Sequence, residues 1–235
     1  MVANKIPGKA VMAIFQKDPQ IIMIHPDSDI RNLKDMRDLP IMISDASIGA
    51  FWLWLKSKYD FNDNQIRKKT FSLAPFLSNK SSIQQGYLTS EPFLVEREAG
   101  FTPRVFLLAD YGYPSYGAMV LASSNVLKNN PEIVKAFVDA SIEGWRQYIY
   151  DDPSLGNELI MLENNEMKED ILLQAIKKIR NYELVSNEIS KGLDIGLMTD
   201  IKWESFFKTM SINGVYEKDL EWRESFTLDF INKDN

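Results

Sequence analysis

Residues 82–123 read SIQQGYLTSEPFLVEREAGFTPRVFLLADYGYPSYGAMVLAS, and this stretch decides the fold. Its pattern predicts a strand over 86–90, a helix opened by Glu91 and Pro92, a buried strand over 104–110, a tyrosine-rich crossing and a third strand over 118–123. Proline suits a first helical turn because its missing N–H has no partner there, and Ser90 is a good N-cap. Glu91 therefore follows a strand directly, at the edge where open α/β sheets hold ligands.

The residues on either side of this stretch extend the same pattern. From Pro26 to Gly112 predicted helices and strands alternate, which favours a mainly parallel sheet with helices on both faces. Two apolar strands, 9–16 and 20–25, precede this alternation, with a turn at 17–19. After Ser123 the spacing of the apolar residues predicts helices. The predicted helices are 131–150, 155–162, 167–180 and 200–210, and their Trp145, Trp203 and Trp222 are expected to pack in a core.

Composition narrows the function classes. The chain is 45% hydrophobic and 26% charged, as in an ordinary globular protein, and its net charge of −6 makes nucleic acid an improbable partner. The absence of cysteine excludes disulfides, thiolate catalysis and cysteine metal sites. The single histidine, His25, is interpreted as a structural loop residue. We expect no cofactor and no metal site.

A second candidate feature is the segment 44–59, SDASIGAFWLWLKSKY. Ser47 is predicted to cap a helix whose apolar face includes Trp52. A polar loop between a strand and such a helix can bind an anion or polar group, because the first-turn N–H groups point at it. The alternative for Ser47 is plain helix capping, and for Asp45 it is an ordinary loop position.

Three segments together carry a family resemblance: 85–100 (QGYLTSEPFLVEREAG), 107–123 (LLADYGYPSYGAMVLAS) and 130–149 (NPEIVKAFVDASIEGWRQYI). In this order they resemble the substrate-binding proteins of ABC importers for thiamine-pyrimidine precursors, alkanesulfonates and taurine, a family that includes the fungal thiamine-pyrimidine synthase. The similarity runs from about residue 8 to the C-terminus.

The resemblance implies an α/β, two-lobed periplasmic-binding-protein type II fold. Lobe 1 would comprise 1–25 and 114–235, and lobe 2 would comprise 26–113, with crossings near 24–26 and 113–118 and the ligand in the cleft between the lobes. Family members begin with strand–helix–strand–helix elements that are not seen here. We therefore expect lobe 1 to be truncated at its N-terminus, by about a quarter to a third of a full-length member.

The function implied by the resemblance is solute binding for an ABC importer, with a thiamine pyrimidine precursor favoured among small heteroaromatic or anionic ligands. Glu91 would accept a hydrogen bond from an exocyclic amine. The expected ligand-binding residues are Asp45, Ser47, Ile48, Gly49, Trp52, Tyr87, Ser90, Glu91, Tyr111, Tyr113 and Tyr116. An ABC permease would be the partner, in the periplasm or outside the cell, although the first residues, MVANKIPGKAV, lack a signal-peptide pattern.

Several alternatives remain open. Glu91 can be an ordinary first-turn glutamate favoured by the helix dipole, and the tyrosines can simply pack at strand edges. Ser90 stands where the thiamine-precursor branch often has an aromatic residue, which affects the ligand assignment. An enzyme similar to the fungal synthase would need the cysteine-rich segment that this chain lacks. A third alternative is a remnant of the fold that binds nothing.

Overall fold

A computed structural model describes residues 2–70, 72–187 and 192–231, where it contains seven strands and nine α-helices. The strands are β1 (Gly8–Phe15), β2 (Gln20–Ile24), β3 (Ile41–Ile43), β4 (Ile66–Lys68), β5 (Ile83–Tyr87), β6 (Arg104–Leu107) and β7 (Gly117–Ser123). The helices are α1 (Asp45–Ile48), α2 (Phe51–Tyr59), α3 (Ala74–Ser78), α4 (Glu91–Ala99), α5 (Ser124–Asn129), α6 (Pro131–Tyr150), α7 (Ser154–Glu163), α8 (Glu169–Asn181) and α9 (Asp200–Ile212).

The chain forms two compact units. Unit 1 comprises Met1–Asp18, Pro114–Thr209 and Tyr216–Asn235, and unit 2 comprises Pro19–Tyr113 and Met210–Val215. The predicted boundary at residues 25 and 26 is therefore displaced, because β2 belongs to unit 2. The physical reason is strand pairing: β2 lies between β5 and β6 in one sheet, whereas β1 pairs with β7.

Unit 2 is built on a five-stranded sheet in the order β4-β3-β5-β2-β6. β3 runs parallel to β4 and β5, whereas β2 is antiparallel to β5 and β6. The carboxyl ends of four strands therefore meet at one edge, together with the first residue of β2. Residues 21–24 of β2 are fully buried, because a central strand with both faces covered needs apolar side chains on each. Each such side chain contributes roughly 1.5–3 kcal/mol of burial free energy.

Unit 1 has a two-stranded antiparallel sheet, in which β1 pairs with β7 from Gly8↔Ser123 to Phe15↔Gly117. Helix α6 begins at the Asn130–Pro131 signal and ends at Tyr150, as predicted. A buried cluster around β1 includes Tyr116 and Phe226. After the 3-10 helix Trp222–Ser225, Phe226 bridges to Ala10, so the C-terminal tail pairs with β1.

Three predicted strands differ in extent from the observed ones. The predicted strand over 86–90 is observed as Ile83–Tyr87, because its register is set by pairing with β2, so it ends before Ser90 and Glu91. The predicted strand over 104–110 ends at Leu107, because the chain turns into a 3-10 helix over Leu108–Tyr111. The sequence pattern also predicts a strand over 69–73 within the alternation of 26–112, and this is wrong, since the pairing with β3 selects Ile66–Lys68 instead. Within that predicted range, Phe71 lies outside the described residues. Among the residues that the structure describes, the helices are too short or too polar for any of them to cross a membrane.

Candidate functional site

A buried amide organises the edge of the sheet in unit 2 where the parallel strands end. The side chain of Gln85, on β5, is only 3% exposed. Its Oε1 accepts a hydrogen bond from the backbone N–H of Ser44 at 2.8 Å, and its Nε2 donates to Ser47 Oγ at 2.7 Å and to Gln20 Oε1 at 3.1 Å. Because a backbone N–H can only donate, the orientation of the amide is fixed.

This orientation determines what two neighbouring hydroxyls can do. Ser47 Oγ accepts from Gln85 and lies 3.0 Å from Ser44 Oγ. One of the two serines donates to the other, so one hydroxyl proton of the pair is left for a further acceptor. The pair therefore forms a hydrogen-bond donor held in place by a buried amide, next to the carboxyl ends of β3 and β5.

An ion pair lies at the same edge. Glu91 opens α4, and Lys69 follows β4; their side chains are each 15% exposed and their charged atoms lie 2.5 Å apart. The second carboxylate oxygen of Glu91 accepts the backbone N–H of Tyr87 at 2.8 Å. The carboxylate also packs against Gly86, where an added Cβ would lie 3.3 Å from the Glu91 side chain. Glu91 therefore has a structural role here, and its negative charge is compensated by Lys69.

Two tyrosines follow strands that end at this edge. Tyr87 is the last residue of β5, and its side chain is 43% exposed. Tyr111 lies at the end of the 3-10 helix after β6, and its backbone carbonyl accepts from Lys58 Nζ at 2.5 Å. Burial, and to a lesser extent the nearby carboxylate of Asp110, raises the pKa of Tyr111, so its hydroxyl stays protonated at neutral pH.

Three of the predicted ligand contacts are buried in the structure. Trp52 is fully buried and donates its indole N–H to Asp63 Oδ1 at 2.9 Å, which leaves it no surface for a ligand. Tyr113 is buried in unit 2 with its ring 5.3 Å from that of Trp54. Tyr116 belongs to unit 1, where its hydroxyl accepts the backbone N–H of Thr199 at 3.0 Å. Two of the four predicted tyrosines are therefore packed in the interior of their units, and a ligand contact at either stays a prediction.

The 45–49 loop also differs from its prediction. Ser44, and not Ser47, occupies the N-cap position, and the loop forms the one-turn helix α1 before α2 begins at Phe51. Asp45 and Gly49 are exposed and Ile48 is half-buried, so these positions stay predictions as ligand contacts. Ser90 is the N-cap of α4, as predicted, and it is half-buried.

His25 has the structural role that was predicted for it. It is buried, its Nε2 lies 2.8 Å from the carbonyl oxygen of Phe76, and its ring packs between Phe76 and Phe101 at centroid distances of 4.7 and 4.9 Å. In the part of the chain that the structure describes, no three His, Cys, Asp or Glu side chains come close enough to hold a metal ion.

The sequence analysis missed four residues of this edge: Gln20, Ser44, Lys69 and Gln85. One of these residues could have been recognised from the sequence. Gln85 stands next to another glutamine inside an otherwise apolar strand, and a buried polar side chain needs a hydrogen-bond partner. The partners themselves come from β3, β4 and the start of β2, and only strand order brings these together.

Comparisons with known proteins agree with this architecture. A model of the family described as NMT1/THI5 like matches residues 2–155. Riboflavin-binding protein RibY from Chloroflexus aurantiacus is 22% identical over 232 residues, which cover 96% of this chain and 65% of RibY. The chain thus spans about two thirds of the length of this curated relative.

Solved structures share the fold at low identity. The alkanesulfonate-binding protein SsuA from Xanthomonas axonopodis pv. citri, bound to MOPS, superposes with a TM-score of 0.66 at 10% identity, covering 97% of this chain and 76% of SsuA. The desulfurization enzyme DSZB superposes with a TM-score of 0.56 at 13% identity, covering 95% of this chain and 78% of DSZB. These matches confirm the predicted α/β, two-lobed periplasmic-binding-protein fold. With the family model matching well over half of its residues, the chain belongs to the NMT1/THI5-like family.

Proposed function

We propose that this protein is the solute-binding component of an ABC importer and that it binds a small heteroaromatic molecule at the sheet edge of unit 2. The observation that carries the proposal is the serine hydroxyl pair fixed by Gln85, with Ser47 Oγ 2.7 Å from the Gln85 amide. A polar group whose position is held before binding is what a specific small-molecule site requires.

The chemistry of the edge favours a ligand that carries hydrogen-bond acceptors. The serine pair has a proton to donate, and Tyr111 keeps its phenolic proton. The partly exposed ring of Tyr87 supplies a flat apolar surface on which a ligand ring can stack. The ion pair of Glu91 and Lys69 is internally compensated, so it contributes little net charge to the site.

Three ligand classes share such acceptors. The sequence resemblance favours a thiamine pyrimidine precursor, whose ring nitrogens would accept from the serine pair. The name of RibY points to riboflavin, with ring carbonyls, and that of SsuA to alkanesulfonates, with three sulfonate oxygens. The exposed tyrosine favours the two ring systems over the sulfonate. We infer that a pyrimidine precursor is the first compound to test, with riboflavin as the second.

The partner and the compartment follow from the family. A permease of an ABC importer would receive the solute, and binding would take place in the periplasm or outside the cell. Binding is favoured over catalysis even though the fold also includes the enzyme DSZB. The chain has no cysteine, and its single histidine is buried between two phenylalanine rings. A cysteine nucleophile is therefore missing, and no accessible histidine is present to act as a general base.

A thermal-shift screen tests the proposal. The panel contains aminopyrimidines, formylaminopyrimidine, thiamine, riboflavin, taurine and alkanesulfonates. A compound at about 100 times its dissociation constant adds about 2.7 kcal/mol to the free energy of unfolding. We expect one ring class to raise the melting temperature, and Ser47→Ala to reduce that rise.

The control variant is Ser81→Ala, because Ser81 is an exposed serine of the same unit, away from this edge. It should keep the full ligand-induced shift. A cooperative melt that no compound shifts would favour the non-binding remnant, and a shift that survives Ser47→Ala unchanged would remove the serine pair from the site.

A further inference from the structure

One edge of the small sheet in unit 1 has no strand beside it. In the described part of the chain this sheet consists of β1 and β7, so no strand pairs with the far side of β7. Four of the seven residues of β7 are exposed, among them Met119 at 40% and Leu121 at 57%. A two-stranded sheet is marginally stable by itself, and an open edge can accept a further strand.

The hydrogen bonds of β1 show which backbone groups point out of this edge. The N–H of Ala13 donates to a carbonyl oxygen outside the two strands at 3.2 Å, and the carbonyl of Ala10 accepts an N–H from outside them at 3.0 Å. Their partners on β7 are Met119 and Leu121. When one residue of an antiparallel pair points its backbone groups away from the other strand, its partner does the same. The N–H and C=O groups of Met119 and Leu121 therefore face the open edge.

The opposite edge of the sheet, along β1, is already covered. Ala10 bridges to Phe226, and Ala13 bridges to Gly196. A further strand can therefore add at β7, whereas the backbone of β1 is engaged at these two points. If the added strand is β7 of a second copy, related by a twofold axis, the sheet has the order β1-β7-β7-β1. Both of its outer edges are then covered, so association stops at two chains.

The distribution of charge favours a second copy as the occupant of this edge. The whole chain has a net charge of −6, yet residues 111–127 contain no charged side chain. Natural edge strands often carry a charge, especially lysine, that prevents pairing with another chain, and β7 has none. Two copies can therefore meet along β7 without placing like charges opposite each other.

The side chains of β7 add apolar surface to these backbone groups. Met119 and Leu121 lie on the same face of the strand because they are two residues apart. Both also line a cavity of about 280 Å³, and no charged side chain of the described residues lines it. In a symmetric pair these side chains lie beside their counterparts from the second copy. Apolar surface that is exposed in the single chain is thereby removed from water in both.

The regular part of β7 sets the register of the pairing. Ala118 has a φ of +47°, outside the extended range, so residues 119–123 are the part that can pair, and Leu121 is their midpoint. We propose that two copies of this chain form a symmetric dimer by antiparallel pairing of β7 with β7, with Leu121 opposite its counterpart. The proposal rests on unit 1 alone and does not depend on the solute site proposed for unit 2.

Sedimentation equilibrium of the whole chain tests the dimer. We expect the mass to rise with concentration from 27.1 kDa to twice that value and no further. Leu121→Lys places two like charges opposite each other, so this variant should keep the monomer mass, and Leu121→Glu should do the same. An equimolar mixture of the two variants places opposite charges across the axis and should regain the dimer. The matched control is Leu155→Lys, at an exposed leucine on α7 of the same unit, which should leave the dimer intact.

A disulfide trap tests the register and does not depend on the charged variants. The chain has no cysteine, so Leu121→Cys supplies a single thiol. Residues directly opposite each other in an antiparallel pair have Cα atoms about 4.5–5.5 Å apart, which a disulfide can bridge. Oxidised glutathione, which is reduced as the bridge forms, should convert Leu121→Cys to a covalent dimer. Leu155→Cys under the same conditions should remain mostly monomeric.

The proposal is overturned if the unmodified chain sediments as a monomer at every concentration, which would leave the edge for a strand of a different polypeptide. Species larger than a dimer would contradict the closure at β1. A dimer that survives Leu121→Lys, or equal trapping of Leu121→Cys and Leu155→Cys, would place the contact elsewhere on the chain. A screen that finds no ligand for unit 2 would leave all of these outcomes unaffected.

Discussion

The buried amide of Gln85 gives the sharpest prediction, because its neighbour on β5 provides a matched control. Gln85→Met removes one hydrogen bond from the Ser44 N–H, one to Ser47 and one to Gln20. Gln84 is also buried, at 1% exposure, but its Nε2 has no hydrogen-bond partner among the described residues. The same substitution at the two positions therefore differs mainly in the hydrogen bonds that it breaks.

The magnitude follows from the count of bonds. Each contributes about 1 kcal/mol net, and more when a buried partner is left unsatisfied, so Gln85→Met should cost about 3 kcal/mol. Gln84→Met replaces a buried amide nitrogen that has no partner with an apolar group of similar size. Its cost should lie within about 1 kcal/mol of zero.

Urea denaturation followed by tryptophan fluorescence measures both variants, with Trp52 and Trp54 reporting from the same unit. For a slope of about 1–3 kcal/mol per M, Gln85→Met should lower the midpoint by about 1–3 M. Gln84→Met should leave it nearly unchanged. Equal midpoints for the two variants would refute the assignment of Gln85 as the organiser of this edge.

Three further predictions concern charge, titration and backbone. Lys69→Met should lower the free energy of unfolding by about 2 kcal/mol, because it leaves the mostly buried Glu91 carboxylate without its cation. The double variant Lys69→Met, Glu91→Gln should recover part of that loss. A loss in the double variant equal to the sum of the two single losses, measured by denaturation, would contradict this prediction. Burial lowers the pKa of Lys202 from 10.5 to about 8, so between these values the unfolded chain binds more protons and stability should rise with pH. Lys202→Met should flatten this rise in melting curves taken from pH 8 to 10.5. Gly196→Ala should lower the free energy of unfolding by about 2 kcal/mol or more, since φ is +84° and the new Cβ would lie 2.8 Å from a neighbouring isoleucine. Gly144→Ala, which adds a methyl group in open space within α6, should be neutral or stabilising.

Elements were predicted correctly where the residues that determine them are neighbours in the sequence. Helix α6 was predicted at both ends, because Asn130, Pro131 and a sustained apolar period are all local. The family resemblance likewise identified the fold class, since it rests on an ordered set of motifs. The alternation of helices and strands in unit 2 predicted a mainly parallel sheet, whereas the observed sheet is mixed: β3 pairs in parallel with β4 and β5, but β2 pairs antiparallel with β5 and β6.

Predictions failed where pairing between strands that are distant in the sequence determines the position of an element. β4 has three residues and exists only because it pairs with β3, so its position could not be read from propensity. β2 reads like the partner of β1, yet it is central in the sheet of unit 2. Tyr113 and Tyr116 belong to different units, on either side of the boundary between 113 and 114 that the family resemblance implied, and it is their burial that the sequence did not predict.

The candidate site shows the same limit. Glu91 was predicted to follow a strand directly, whereas β5 ends at Tyr87 and three residues separate the two. The proximity of Lys69 to Glu91 depends on the order of the strands in the sheet. The role of Gln85 depends on Ser44 and Ser47 being delivered by β3. A polar residue in a strand can be noticed in the sequence, whereas its partner requires the topology.

The most direct test of the central claim is a crystal structure of the chain with the compound that gives the largest thermal shift. The account predicts ligand density at the sheet edge of unit 2, with an acceptor atom within hydrogen-bond distance of Ser44 Oγ or Ser47 Oγ and a ring against Tyr87. Density for the compound elsewhere in the chain, with no contact to either serine, would contradict it.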